Sequence, residues 1–411
     1  MENDMGKKAR ITIYIVSLLI LAGMVGLIVA THGERETNNE KPVSGIMSEP
    51  AESTEEPVGG METIPETGEG LTEENEQNTS GAGGSVTAEN TQTMPETGKD
   101  TTLIFTGDVL FANSFKNNYD AGGIEKVVAP ELLKKLQDAD ILMINNEFPF
   151  SNRGTQMADK QFTFRCDPKY VKALQEMGVD IVSLANNHTL DYGREAFSDT
   201  FEVLDGAGIL YAGAGNTPER AYELQVIEKN GKKFGFLAAS RVIPVSDWKV
   251  EERAPGMLTA YDDTKLVELV KAAQSECDFL SVYLHWGVEY DAYPQAYQTK
   301  IAKDCFDAGA NLVLGAHTHC LQGISYIDGK PVFYSLGNFI FGQSIEKTMA
   351  VELTVAADGT ASYKLIPVAA AGGTTDEMHE TKASELFSYV QQISEGVSIG
   401  TDGSVSEKGN E

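Results

Sequence analysis

The chain has 411 residues, of which 41% are hydrophobic, and a formal net charge of −29. That length suits one large domain or two small ones. The acidic balance excludes nucleic-acid binding as the main task, because that needs a basic surface able to release counterions.

The charge is unevenly spread. Residues 34–100 hold 16 acidic side chains against 3 basic ones, and 375–411 hold 8 against 2. Residues 101–374 are left with a net charge of −11, a moderately acidic stretch between acidic flanks.

Residues 11-ITIYIVSLLILAGMVGLIVA-30 contain no charge. At about 1.5 Å per residue they match the roughly 30 Å hydrocarbon core of a bilayer. Lys7, Lys8 and Arg10 precede the run. The expectation is a single transmembrane helix over 11–30, a cytoplasmic N-terminus over 1–10 and everything else outside the cytoplasm. The run is longer than the apolar core of a cleaved signal peptide. Residues 31–100 are expected to form a disordered acidic linker. From Gly33 to Asp100 there is no Phe, Tyr or Trp, so too little apolar surface is available to offset chain entropy.

From Thr101 the texture changes. Strands are expected at 102–107, 140–145, 179–185, 208–213, 278–285 and 311–316. Helices are expected at 130–139, 167–178, 191–208, 262–276 and 294–309. Asp or Pro opens several of these helices and Gly closes them. Continuous apolar strands between amphipathic helices indicate an α/β sheet covered on both faces. Three hairpins turn at Asn230-Gly231, Asp328-Gly329 and Asp358-Gly359, the strongest short-range hairpin signal. The expected fold is a layered α/β domain with mixed sheets over 101–372, followed by an acidic C-terminal tail over 373–411 with one weak helix near 383–394. The four cysteines are scattered and do not make a disulfide scaffold.

The polar residues that close the strands carry the chemistry. Asp108 ends 103-LIFTGD-108, Asn146-Glu147 end 141-ILMINNE-147, and Asn187-His188 end 181-IVSLANNH-188. His285 ends 280-LSVYLH-285, and His317 and His319 end 312-LVLGAHTH-319. The C-terminal edge of an open α/β sheet is where ligands bind. Four of the six histidines fall in this set. Imidazoles with carboxylates and an amide oxygen are mixed N/O ligands, suited to Mn, Fe or Zn rather than to Ca or to a structural zinc. Six candidate ligands exceed what one ion needs, so the site has room for one or two divalent metal ions.

Six motifs in order, 106-TGDVLFA-112, 145-NNEFPFS-151, 186-NNHTLDYG-193, 285-HWGVEY-290, 315-GAHTHCLQ-322 and 334-YSLGNFIF-341, closely resemble the capsule-biosynthesis protein CapA family, also described as poly-γ-glutamate synthesis proteins. That family is related to the calcineurin-like metallophosphatases. The resemblance implies a metallophosphatase-type sandwich in which Asp108, Glu147, Asn187, His285, His317 and His319 ligate metal. It implies that His188 stabilises or protonates a leaving group, with Asp191 orienting its ring. The phosphatase pattern opens Asp-x-His, whereas Leu110 stands at that third position here, and its Gly-Asp is replaced by Asn146-Glu147. Arg165, Asn146 and Glu289 are the candidate substrate-binding residues, Arg165 because its fork suits carboxylate or phosphate. Trp286 reads as core, and Asn338 as a supporting or turn residue. The functional expectation is a membrane-anchored, extracytoplasmic, metal-dependent hydrolase or transferase acting on an anionic polymer or a phosphoester. The alternative is a non-catalytic polymer-binding or assembly subunit of a capsule synthesis or export complex.

Overall fold

The computed structural model describes residues 98–409. The apolar run 11–30 and the acidic stretch 31–97 lie outside the described residues. Among the described residues no helix is long and apolar enough to cross a membrane.

In chain order the strands and helices are β1 (Thr101–Val109), α1 (Asn113–Gly122), α2 (Pro130–Asp138), β2 (Ile141–Asn146), α3 (Val171–Met177), β3 (Ile181–Ser183), α4 (Gly193–Ala207), β4 (Leu210–Ala212), β5 (Ala214–Gly215), α5 (Pro218–Ala221), β6 (Gln225–Lys229), β7 (Lys232–Ser240), β8 (Gly256–Met257), α6 (Thr264–Ala273), β9 (Phe279–His285), α7 (Ala296–Ala308), β10 (Leu312–Ala316), β11 (Ile324–Ile327), β12 (Lys330–Phe333), β13 (Asn338–Ile340), β14 (Ile345–Val355), β15 (Ala361–Ala371), β16 (Thr374–Glu377), α8 (Glu380–Ile393), β17 (Val397–Ile399) and β18 (Ser404–Glu407).

Two mixed sheets form the domain. One runs β17-β18-β15-β14-β1-β2-β3-β4, with β13 beside β1 and β16 beside β15; the other runs β11-β12-β10-β9-β7-β6. β1 to β4 are mutually parallel, as are β7, β9, β10 and β12. β1, β2, β9 and β10 are buried at nearly every position because both faces are covered. The sheets meet across a shared core: Phe105 lies 6.4 Å from Phe236 between ring centroids, and the buried Tyr283 hydroxyl donates to Thr106 O at 2.7 Å. A second cluster, including Leu266, Val270, Ile301 and Phe306 of α6 and α7, covers the other face of the six-stranded sheet.

Two of the expected hairpin turns take the left-handed backbone that Asn-Gly and Asp-Gly favour, with φ of 50° and 78° at Asn230-Gly231 and 52° and 75° at Asp328-Gly329. The Asp358-Gly359 loop is longer, closed by Ala356 N donating to Thr360 O at 2.8 Å. Two turns pin the start of β1. Asn230 Nδ2 donates to Asp100 O at 3.2 Å, and Ala357 N donates to Asp100 Oδ1 at 3.1 Å.

The structure departs from the sequence reading at both ends of the domain. Helix α1 was not expected; its only buried side chain is Phe115, so it presents no apolar stripe. The stretch read as an acidic tail over 373–411 is folded through Glu407. β16 and β18 pair with β15, β17 pairs with β18, and α8 buries Leu386, Phe387 and Val390. The acidic residues there occupy exposed positions and hide the alternation that the strands need. All four cysteines are free thiols.

Candidate metal centre

β1 bulges between Phe105 and Asp108, and Asp108 then sits in register with Asn145 of β2 and Asn338 of β13. Gly107 makes this possible: a Cβ there would meet Gly337 O at 1.8 Å, and Asp108 N donates to that same oxygen at 2.9 Å. On the other sheet Ala316 pairs with His285, which places the 317–319 turn beside the end of β9. His317 and His319 both take left-handed backbone, with φ of 98° and 57°. Such conformations cost roughly 1–3 kcal/mol each and persist where the surroundings impose them. The turn therefore aims two imidazoles into one space.

Two ligand groups result, Glu147 with His285 and His317, and Asp108 with Glu147 and His319; within each, the ligand atoms lie within 4.8 Å of one another. Glu147 belongs to both. Asp108, Glu147 and His285 are fully buried. Asn187 Oδ1 lies 2.9 Å from His285 Nε2, and His319 Nδ1 lies 2.9 Å from Asn338 Oδ1. Asn145 Nδ2 donates to Asp108 Oδ1 at 2.7 Å and lies 3.3 Å from His285 Nδ1.

A donor set waiting for a cation should contain buried lone pairs without a hydrogen-bond partner. Both carboxylate oxygens of Glu147 and Nδ1 of His317 are such atoms. Desolvation and the neighbouring Asp108 carboxylate push the Glu147 carboxyl well above its ordinary range. Burial, reinforced by the other histidines, holds His285 well below the usual imidazole value and His317 at about 4. His319 is the exception. Burial disfavours its charge, but Asp108, Glu147 and Asn338 outweigh that and raise it to about 10. These residues fit a divalent ion of the Mn, Fe or Zn kind: the oxygens are hard, the imidazoles borderline, and no cysteine is among them.

The sequence-read residues divide. Asp108, Glu147, Asn187, His285, His317 and His319 converge, and His188 and Asp191 lie at their edge. His188 Nδ1 is 2.7 Å from Asp191 Oδ2. A cavity of about 500 Å³ opens onto the cluster, lined by Asn187, His188, His319, Lys160, Glu289, Tyr290 and Phe341 among others. Leu110 lines it too, so the position where the phosphatase pattern has a histidine is an apolar wall. Glu289 is at the mouth as expected. Asn146 is not: it is fully buried, donates to Phe148 O at 2.6 Å and does not reach the cavity. Arg165 faces a neighbouring cavity of about 280 Å³, with its guanidinium 4.2 Å from the Tyr192 ring centroid and donating to Arg153 O at 2.7 Å. Trp286 is core, as read, and donates to Tyr334 O at 2.8 Å.

Three residues escaped the sequence reading. Asn145 and Asn186 form an amide chain under the cluster, Asn186 Nδ2 donating to Asn145 Oδ1 at 3.2 Å. Their signal was present in the doubled Asn-Asn of 145-NNE-147 and 186-NNH-188, where only the second Asn was weighed as a site residue. Lys160 is the third. It is largely buried and reaches Asp191 Oδ1, Asn187 O and, at 3.1 Å, His188 Nδ1. A lone lysine in a long loop gives no signal of its own.

The fold and site together define a mixed α/β domain with a buried histidine–carboxylate cluster at the ends of its parallel strands. The sequence profile described as "Bacterial capsule synthesis protein PGA_cap" matches residues 102–343, and the chain belongs to that family. Among curated relatives, the capsule biosynthesis protein CapA of Bacillus anthracis is 30% identical over 279 residues, covering 65% of this chain and 67% of the relative. The PGA biosynthesis protein CapA of Bacillus subtilis (strain 168) is 28% identical over 272 residues, covering 64% and 70%. A crystal structure of a hypothetical protein from Thermus thermophilus aligns with a TM-score of 0.39 at 17% identity, over 65% of this chain and 99% of that one.

Proposed function

We propose that this capsule-synthesis protein is a metal-dependent hydrolase or transferase with a calcineurin-like metallophosphatase arrangement. In this reading the 11–30 run anchors it to the membrane, and it acts outside the cytoplasm on a phosphoester or on the amide of a γ-glutamyl polymer. The observation that carries the proposal is the pair of ligand groups sharing Glu147, whose two oxygens are buried and unpartnered. Structural carboxyls are not left in that state, because a buried polar group without a hydrogen-bond partner is costly.

Glu147, His285 and His317 would hold one ion, with Asn187 beside them; Asp108, Glu147 and His319 would hold a second. When bound, such ions supply Lewis acidity and neutralise charge that develops on a reacting oxygen. The chain's own groups do the rest. Asn145 orients Asp108, and Asn338 orients His319. Asp191 holds Nδ1 of His188, which leaves Nε2 as the ring nitrogen free toward the cavity that His188 lines. Burial lowers the proton affinity of His188, so its ring is neutral at rest; it would take the proton of the attacking water at Nε2 and pass that same proton to the leaving group. Leu110, Phe162, Phe164 and Phe341 restrict water at the mouth.

Elemental analysis of protein purified without chelator tests this. Near-stoichiometric Mn, Fe or Zn that falls in His317→Ala is expected. Protein that neither carries metal nor takes it up on titration would sink the hydrolase reading. Retained metal without turnover of a phosphodiester or a γ-glutamyl amide would leave a polymer-binding or assembly subunit instead, and turnover indifferent to His188→Ala would remove His188 from the mechanism.

A further inference from the structure

The segment between β2 and α3 is a closed loop. Its neck is tied by Ser151 N donating to Cys166 O at 2.9 Å and Cys166 N donating to Pro149 O at 3.0 Å. Loops of this form pack on their own side chains and commonly carry function. Most of its bonds to the site converge on one residue, Asp191. Met157 N donates to Asp191 O at 2.7 Å, Phe164 N donates to Asp191 Oδ2 at 2.7 Å, and Lys160 donates to Asp191 Oδ1. The fully buried Asp191 carboxylate is thereby shared: Oδ1 belongs to Lys160, and Oδ2 is divided between the loop and His188 Nδ1. The same loop brings Gln161, Phe162 and Phe164 to the cavity wall, with Phe162 61% exposed at the mouth. The Lys160 ammonium also donates to Asn187 O, lies 5.3 Å from the Trp248 ring centroid and comes within 3.1 Å of His188 Nδ1; with that nitrogen protonated and donating to Asp191 Oδ2, the ammonium's bonds go to Asp191 Oδ1 and Asn187 O and not to the ring.

We propose that Lys160 is a positioning residue that locks the Asp191 carboxylate in the orientation holding His188, and that it does so only while the 151–166 loop is seated over the cavity. The side chain need not touch substrate. Its part is to occupy Oδ1, so that the carboxylate cannot rotate and offer His188 a different oxygen or none. Loop and proton-transfer group then form one unit: a ligand that contacts Gln161 or Phe162 and settles the loop also settles the imidazole. The proposal rests on the reading of His188 as the proton-transfer group, and its first test does not.

That test is the ring ¹⁵N spectrum of histidine-labelled full chain, metal-free in chelator, with His188 assigned by loss of its signals in His188→Asn. Wild type should show a single tautomer protonated at Nδ1. Lys160→Met and Lys160→Gln, each checked for wild-type circular dichroism, should show averaged tautomers at His188, and Lys160→Arg should restore the single form. An unchanged His188 signal in a folded Lys160 variant overturns the proposal. With manganese and bis(p-nitrophenyl) phosphate, kcat should fall about ten-fold at nearly constant KM in Lys160→Met, a part of what general acid–base catalysis supplies; a change in KM alone would make Lys160 a binding residue and overturn positioning. If wild type turns over neither the phosphodiester nor a γ-glutamyl amide, the catalytic reading fails, and the ring spectrum still decides what Lys160 does.

Discussion

His317 and His319 are separated by one residue and live in opposite fields. His317 is driven down to about 4 by burial, with neighbouring imidazoles adding to it, whereas His319 sits between Asp108 and Glu147 and is driven up to about 10. At neutral pH the metal-free protein thus holds His319 as a cation and His317 neutral. A ligand imidazole must be neutral, so metal entering the Asp108–Glu147–His319 group should expel the His319 proton. Calorimetric titration with manganese at pH 7.5 in two buffers of different ionisation enthalpy should show about one proton released from His319 per ion there. A His319→Gln variant should release fewer, and buffer-independent heats would contradict the assignment. The sign for stability also follows. The folded-state value of His317 lies below its ordinary 6.5, so its contribution is complete above that pH and is lost as pH falls toward 4. Denaturation of chelated protein should therefore lose more stability between pH 7 and 4 in wild type than in His317→Asn, by a difference on the order of 3 kcal/mol.

Individual elements explain which parts of this structure were legible in the sequence. β1, β2, β9 and β10 are buried on both faces, so each carries an apolar run, and a polar site residue stands at or just after its end: Asp108, Glu147, His285 and His317. The same logic failed for β16 to β18. They are three or four residues long with mostly exposed side chains, and pairing with β15 and with each other, not their composition, makes them strands. Helix α1 was invisible for the related reason that Phe115 alone is buried. At the site, ligands that end strands could be read, whereas Lys160 depends on where a loop lands on a residue 31 positions away. The β1 bulge offers a direct check. Gly107→Ala would drive a methyl into Gly337 O, and both atoms belong to backbone that positions a ligand. A loss of at least about 2 kcal/mol is expected, together with weaker metal uptake. An unchanged denaturation midpoint would show that the bulge is loose.

For the molecule as a whole, the domain extends beyond the matched family region of 102–343. β14 and β15 continue the first sheet from β1, and α8 with β16 to β18 completes that edge. Ending the chain at 372 would remove Leu386, Phe387, Val390, Val397 and Val405 from the core. At roughly 1.5–3 kcal/mol for each buried side chain the loss is on the order of 10 kcal/mol, comparable with the whole stability of a domain. A chain truncated after 372 is expected to aggregate or to lose its cooperative transition, and a soluble, cooperatively melting product would show that the last strands are an accessory.

The knot of hydrogen bonds around Asp100 has a practical consequence. β1 enters the sheet there and runs about 23 Å, at about 3.3 Å per residue, before delivering Asp108. Whatever precedes Thr101 therefore joins the domain at the end of β1 opposite the one that carries Asp108. The contacts that hold this end come from the hairpin turns at Asn230 and Ala357, not from the turns that shape the cavity. The domain can be grafted onto a bead, a cell wall or another protein through its leading end with its mouth left clear.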